Sequence, residues 1–241
     1  MSKSVQEIRK RLRHSIDSTP KNVSQFFKTG VGDYAEHDQF MGVTVPTLRK
    51  MAKSFASLSL DDLTVLLQSP FNEERLLALI ILSNQYANAR EEQKEAFYQF
   101  YQFHIKQINN WNLVDSSAHL IMGAYLFEKD RSVLLELAAS PNLWERRIAI
   151  VATWYFIRKG DTTSTFEIAQ RLLHDKQDLI HKAVGWMLRE AGKKEEARLL
   201  AFLSEQAHRM PKTMLRYAME RLSLTQKIAT QSAIDLRLSL I

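Results

Sequence analysis

Apolar residues recur at helical spacing along almost the whole chain, and nowhere do they alternate with the period of two that marks a half-buried strand. Val5, Ile8, Leu12 and Ile16 form the apolar stripe of an amphipathic first helix, closed by Ser18-Thr19-Pro20. A second short helix is expected over 23–28. Residues 29–38 are polar, contain two glycines and read as a loop. Pro46 suits a first helical position, so Thr44 or Val45 sits just before a helix N-terminus. Beyond residue 60 the pattern predicts helices over 60–67, 72–82, 91–105, 131–139 and 142–151. It then predicts the pairs 165–173 with 179–190 and 194–205 with 211–219. The tail after Leu224 is weakly patterned.

Small residues recur at Ala78, Ser117, Ala149, Ala183 and Ala218. Their separations fall in the range of two-helix repeats of the HEAT type, with a small residue at the packing centre of each second helix. The expected fold is all-α: a right-handed superhelical solenoid of HEAT-like helix pairs whose second helices line a concave face. It is read as one domain over 1–241, with cap helices at 1–58, repeats at 59–224 and the tail at 225–241.

Length and composition fit this reading. The chain has 241 residues, enough for a sizeable core, with few Gly or Pro and no run of them to mark a linker. Cysteine is absent, so no disulfide framework or thiolate metal site can form. The first residues lack an apolar signal core, and the longest apolar run, 148–157, is too short to span a membrane. A soluble, cytoplasmic protein is expected. The net charge is +6, and residues 181–241 alone carry eleven Lys/Arg against six Asp/Glu. A basic region of this kind suits a polyanion such as nucleic acid, although a solvated helical surface would look the same.

Chemistry gathers in the stretch 110–117, where Trp111 and Asp115 stand four residues apart, one turn of a helix on one face. Asp is a poor helix-interior residue, but near a helix start at Asn109 or Asn110 it gains from the helix dipole. Arg147, one turn after Trp144 in an otherwise apolar helix, calls for an anionic partner: Glu145, Asp115 or a phosphate. Trp186 has Lys182 and Arg189 as same-face neighbours, whereas Trp144 and Trp154 read as core. If the repeats align, Trp111, Asp115, Arg147 and Trp186 converge on one concavity. Arg49, Lys50 and Lys53 follow the helix start at 44–45, which suits either a phosphate or an ordinary helix N-terminus. Arg216 belongs to the basic end. No HExxH, GxSxG or P-loop is present, and neither a metal nor a cofactor is expected.

Four segments, Phe40-Met41-Gly42-Val43-Thr44-Val45-Pro46, Trp111-Asn112-Leu113-Val114-Asp115, Leu143-Trp144-Glu145-Arg146-Arg147-Ile148-Ala149-Ile150 and Lys182-Ala183-Val184-Gly185-Trp186-Met187-Leu188-Arg189-Glu190, occur in order. Together they resemble the bacterial DNA alkylation repair glycosylases of the AlkD type. The resemblance implies a HEAT-like superhelix that removes bases alkylated at ring nitrogens, such as 3-methyladenine and 7-methylguanine, from duplex DNA. It implies that Asp115 is the catalytic carboxylate, that Trp111 and Trp186 are aromatic walls beside the lesion, and that Arg147 is an inner-face cation. Arg189, Arg49 and Thr44 match positions that hold the DNA backbone. Asn110 stands where a further Trp can occur in the family, and Asn112 where an Asp can.

A single carboxylate is enough for such chemistry. A base alkylated at N3 or N7 carries positive charge and leaves as a neutral heterocycle, so no acid need protonate it. The charge that develops is an oxocarbenium on the sugar, which a carboxylate stabilises. No lysine nucleophile signature is present, so no strand cleavage is expected. Two other functions compete: a non-catalytic HEAT-like protein that binds damaged or branched DNA, and an adaptor that holds a peptide on its concave face.

Overall fold

A computed structural model describes residues 2–16 and 25–239. Helices make up about 70% of the structure, and no strand occurs among the described residues. The chain divides into two compact units, residues 1–125 and 126–241. No described helix is long and apolar enough to cross a membrane.

The first unit contains α1 (Lys3–His14), α2 (Val45–Ser54), α3 (Leu60–Leu67), α4 (Asn72–Asn88), α5 (Glu91–Phe103) and α6 (Trp111–Ser117). Helix α1 buries Val5, Ile8 and Leu12, the stripe read from the sequence, and its N-cap Ser2 accepts from Val5 N. Helix α4 is the centre of this unit and packs against α2, α3 and α6. It is buried nearly all round over 72–83, as a helix enclosed by neighbours must be. Arg9 grips Glu74 at the head of α4 with Nε and Nη2, the latter at 2.9 Å, tying α1 to it. The stop signal at Ser18-Thr19-Pro20 and the start of the helix expected over 23–28 lie outside the described residues. Residues 25–27 form a turn, which carries Phe27 into an aromatic stack described below.

The second unit contains α7 (Ser132–Ala138), α8 (Leu143–Arg158), α9 (Thr163–Arg171), α10 (Asp178–Gly192), α11 (Glu196–Gln206), α12 (Lys212–Ala218) and α13 (Leu224–Leu238). Here α8, α10 and α12 stack in series, with α7, α9 and α11 beside them. This pairing and stacking is the pattern of an all-α solenoid. Ala78, Ser117, Ala149, Ala183 and Ala218, the small residues that set the repeat, are all buried. Gly185 marks the tightest approach. A Cβ there would lie 2.5 Å from the Met214 carbonyl oxygen and from Tyr217 Cβ, so only glycine lets α10 and α12 come this close. The weakly patterned tail is a helix, α13, started by a capping box between Ser223 and Gln226.

Candidate functional site

The site in the first unit is built by a zipper between two distant stretches. The Gln39 amide donates to the Pro70 carbonyl at 3.0 Å, and Asn72 N donates to the Gln39 carbonyl at 2.8 Å. This pairing places Asp38 beside the head of α4. The Asp38 carboxylate accepts from Asn72 Nδ2 at 2.8 Å, from Asn110 Nδ2 at 2.6 Å and from the Arg75 guanidinium. All four residues are buried. A buried carboxylate is stable only when paired and hydrogen-bonded, and Asp38 meets both conditions here. Asp38 lies in the stretch read as a polar loop, and its role was not visible there.

The next two residues continue the zipper. Glu73 Oε1 accepts from Met41 N at 2.9 Å and Gly42 N at 2.8 Å. Gly42 adopts φ +94°, a left-handed conformation that favours glycine. The chain then enters α2 through its N-cap Thr44, which is exposed and whose hydroxyl bonds Thr47 Oγ1 at 3.1 Å. Arg49 is exposed on the second turn of α2, as are Lys50 and Lys53 nearby.

Asn110 connects this cluster to α6. Its Oδ1 accepts from Trp111 N at 2.7 Å, so the buried N-cap of α6 is itself held by Asp38. Asn112 Nδ2 donates to Asn72 Oδ1 at 2.7 Å, a second tie to α4. The two asparagines that depart from the family pattern are therefore structural links. Leu113, Val114 and Ser117 turn into the core, while Trp111 and Asp115 share the half-buried face one turn apart. The Trp111 ring stacks on Phe27 at 5.1 Å between centroids, and Phe27 stacks on Phe40 at 4.6 Å. The sequence showed the Trp111–Asp115 pair but not Phe27, which has no periodic signal.

Beneath Asp115, the Ser117 hydroxyl donates to the Leu113 carbonyl at 2.7 Å, so at 3.0 Å it accepts from the buried Tyr101 phenol. Burial pushes the Tyr101 phenol pKa up, and the negative charge of Asp115 adds to the shift. Past Ser117 the same helix opens into a π-helical turn, His119–Gly123, a local defect often found near functional sites.

In the second unit the Trp186 ring meets Trp154 edge to face at 4.9 Å. Both are half-buried. Trp144 is core as expected, but Trp154 is not: it belongs to this aromatic pair. Arg147 is 5% exposed and its Nη1 donates to the Leu179 carbonyl, stitching α8 to the start of α10. Glu145, one partner foreseen for Arg147, instead accepts from the Ser140 hydroxyl at 2.6 Å. Lys182 pairs with Asp178 at 2.8 Å and holds that carboxyl below its ordinary pKa. Arg189 bridges Glu190, at 3.2 Å, and Glu220. Arg216 is exposed, lies 5.5 Å from the Tyr217 ring centroid, and has no ion pair among the described residues. So the predicted cations divide: Arg147 and Arg189 are engaged by the protein, Lys182 is paired at the surface, and Arg49 and Arg216 face solvent.

Comparison with known proteins gives the setting for these residues. The fold is shared with a solved structure described as a predicted DNA alkylation repair enzyme from Enterococcus faecalis. It is 16% identical, with a TM-score of 0.64, over 86% of this chain and 95% of that one. Comparison with proteins of curated function gives no match. The model of the DNA alkylation repair enzyme family matches residues 8–222, so the chain belongs to that family.

Proposed function

We propose that this protein is a monofunctional DNA glycosylase that excises cationic N3- and N7-alkylated purines from duplex DNA by hydrolysis of the N-glycosidic bond. Membership of a DNA alkylation repair family supports a role in DNA repair. The observation that carries the finer reading is the Trp111–Asp115 face of α6. It presents a carboxylate and an indole one turn apart, half-exposed, on a helix whose cap is locked from behind by Asp38.

The chemistry follows from the substrate's charge. The bond between the sugar C1′ and the alkylated ring nitrogen breaks, and its electron pair goes to the base, which leaves neutral. Asp115 stabilises the oxocarbenium left on the sugar. It also orients the water that adds to C1′ and accepts that water's proton as the bond forms. The Trp111 ring attracts the cationic base or sugar by its face, worth about 0.5–2 kcal/mol, and the Trp186 ring is suited to the same attraction. Exposed Arg49, the Thr44 helix start, Lys182 and Arg216 hold phosphates. Arg147 and Arg189, engaged within the protein, act by fixing the helices that present these groups. Neutral lesions, which need an acid to protonate the leaving base, are not substrates.

The test is free-base release from duplex DNA carrying 7-methylguanine. Asp115→Asn should bind this DNA with near-native affinity and lose most of the release. Unchanged release by this variant would refute the mechanism. Release that persists in both forms together with strand scission would refute the monofunctional assignment.

A further inference from the structure

A second feature of the first unit lies apart from the Trp111–Asp115 face. A solvent-open cavity of about 350 Å³ is lined by His37, Gln68, Ser69, Arg75, Lys106 and Asn109, among others. Three of these, Arg75, Ser69 and Lys106, carry hydrogen-bond donors. Arg75 is 3% exposed; Nη1 donates to the Ser69 carbonyl and Nη2 to Asp38, but buried Nε has no partner among the described residues. A buried guanidinium N–H left unmatched is costly and calls for a partner such as an ion or a water. Ser69 is also buried. Its oxygen accepts from Phe71 N at 3.1 Å, and its hydroxyl proton has no acceptor among the described residues. Lys106 is exposed at the rim with no ion pair among the described residues. Asn109 Oδ1 is buried and unmatched there too, and turning this amide over presents its NH₂ instead.

An N–H on a rigid guanidinium, a hydroxyl and an ammonium around one small opening match a tetrahedral oxyanion. We propose that this cavity is a phosphate-binding site, formed by Arg75 Nε, the Ser69 hydroxyl and Lys106. The phosphate is either a backbone phosphate of bound DNA or a free one; both offer the same oxygens. Arg75 joins the site to the cap of α6, because its other arm holds Asp38, which holds Asn110. The proposal does not rest on the glycosylase reading, since it involves neither Asp115 nor base release.

The test follows the Arg75 Nε–H resonance by ¹⁵N-resolved NMR in the full chain, at constant ionic strength. Titrated inorganic phosphate should move it saturably, and Lys106→Ala, an exposed change that leaves the fold intact, should weaken the midpoint by about threefold to fivefold, the loss of one exposed charge contact. An undamaged duplex gives the second arm. If it moves the same resonance and Lys106→Ala flattens its salt dependence by about one phosphate contact, the site takes DNA backbone. If inorganic phosphate alone acts, the site takes free phosphate. A resonance that neither probe moves, or a midpoint that Lys106→Ala leaves unchanged, overturns the proposal, while base release by the same preparation would leave the glycosylase reading standing.

Discussion

Asn110 donates to Asp38 across 2.6 Å while its carbonyl oxygen accepts the Trp111 amide at 2.7 Å, so one buried side chain couples a distant carboxylate to the start of α6. Removing either end should be costly, and unequally so. Asp38→Ala leaves the Arg75 guanidinium buried without its counter-charge, and breaking a buried pair in this way costs about 3–5 kcal/mol. Asn110→Ala removes a helix cap and one of several donors to Asp38, a loss of about 1–3 kcal/mol. Urea unfolding of the two variants and the double variant checks this. The double variant should lose clearly less than the sum of the two, because both act on one network; simple additivity would show that Asn110 and Asp38 are not coupled.

The close approach at Gly185 gives a second prediction. Gly185→Ala brings a methyl to 2.5 Å from a backbone carbonyl of α12, and backbone cannot step aside as a side-chain tip can. Overpacking of this kind costs about 1–3 kcal/mol, more than the helix propensity that alanine adds. A melting temperature equal to that of the wild type would show that α12 adjusts freely. Because α10 also carries Trp186, the variant should lose activity at temperatures where it remains folded.

His104 sets a pH dependence. It is 3% exposed, its ring lies against Phe100 and Phe103, and Nε2 meets the Thr64 hydroxyl at 3.0 Å. Thr64 gives its own proton to the Leu60 carbonyl, so Nε2 is the protonated nitrogen. Burial lowers the His104 pKa, and only a hydrogen bond with Gln107 opposes it. The folded protein therefore holds the ring neutral, while the unfolded chain takes up a proton below about pH 6.5. This contribution to stability is fully present above that pH and falls as pH drops from 6.5 towards the lower folded pKa, with a limiting slope of about 1.4 kcal/mol per unit. Denaturation midpoints measured between pH 5 and 8 should show the decline in the wild type and a shallower one in His104→Gln. Parallel curves would assign the decline to other groups.

What the sequence revealed and what it hid differ in a physical way. The helices were legible because their apolar stripes repeat locally, and the burial of Ala78, Ala149, Ala183 and Ala218 follows from the repeat length. Trp111 and Asp115 were legible as an i, i+4 pair. Asp38 was hidden because its partners Asn72, Arg75 and Asn110 lie 34, 37 and 72 residues away and no local pattern joins them. Phe27 was hidden for the same reason. The contact of Arg147 with the Leu179 carbonyl is hidden in the sequence because the acceptor is a backbone group 32 residues away. Helix α13 did have a local signal, the Ser223 and Gln226 capping box, which its weak apolar pattern masked.

The basic end of the chain gives the last prediction, and the structure separates two arginines that the sequence treats alike. Arg216 is exposed with no ion pair among the described residues, whereas Arg189 already bridges Glu190 and Glu220. If Arg216 meets a DNA phosphate, Arg216→Ala should weaken binding equally across sequences. It should also reduce the slope of log K against log salt by about one, the loss of one released counterion. Arg189→Ala should change that slope much less, since its guanidinium must leave two carboxylates before it can meet a phosphate. Its main effect should be to leave Glu190 and Glu220 without their shared cation, lowering affinity by repulsion at low salt and little at high salt. Binding isotherms for an undamaged duplex over a range of salt concentrations test both at once. Equal slope changes in the two variants would mean that Arg189 gives up its carboxylates on binding, and no change in either would remove this surface from the DNA contact.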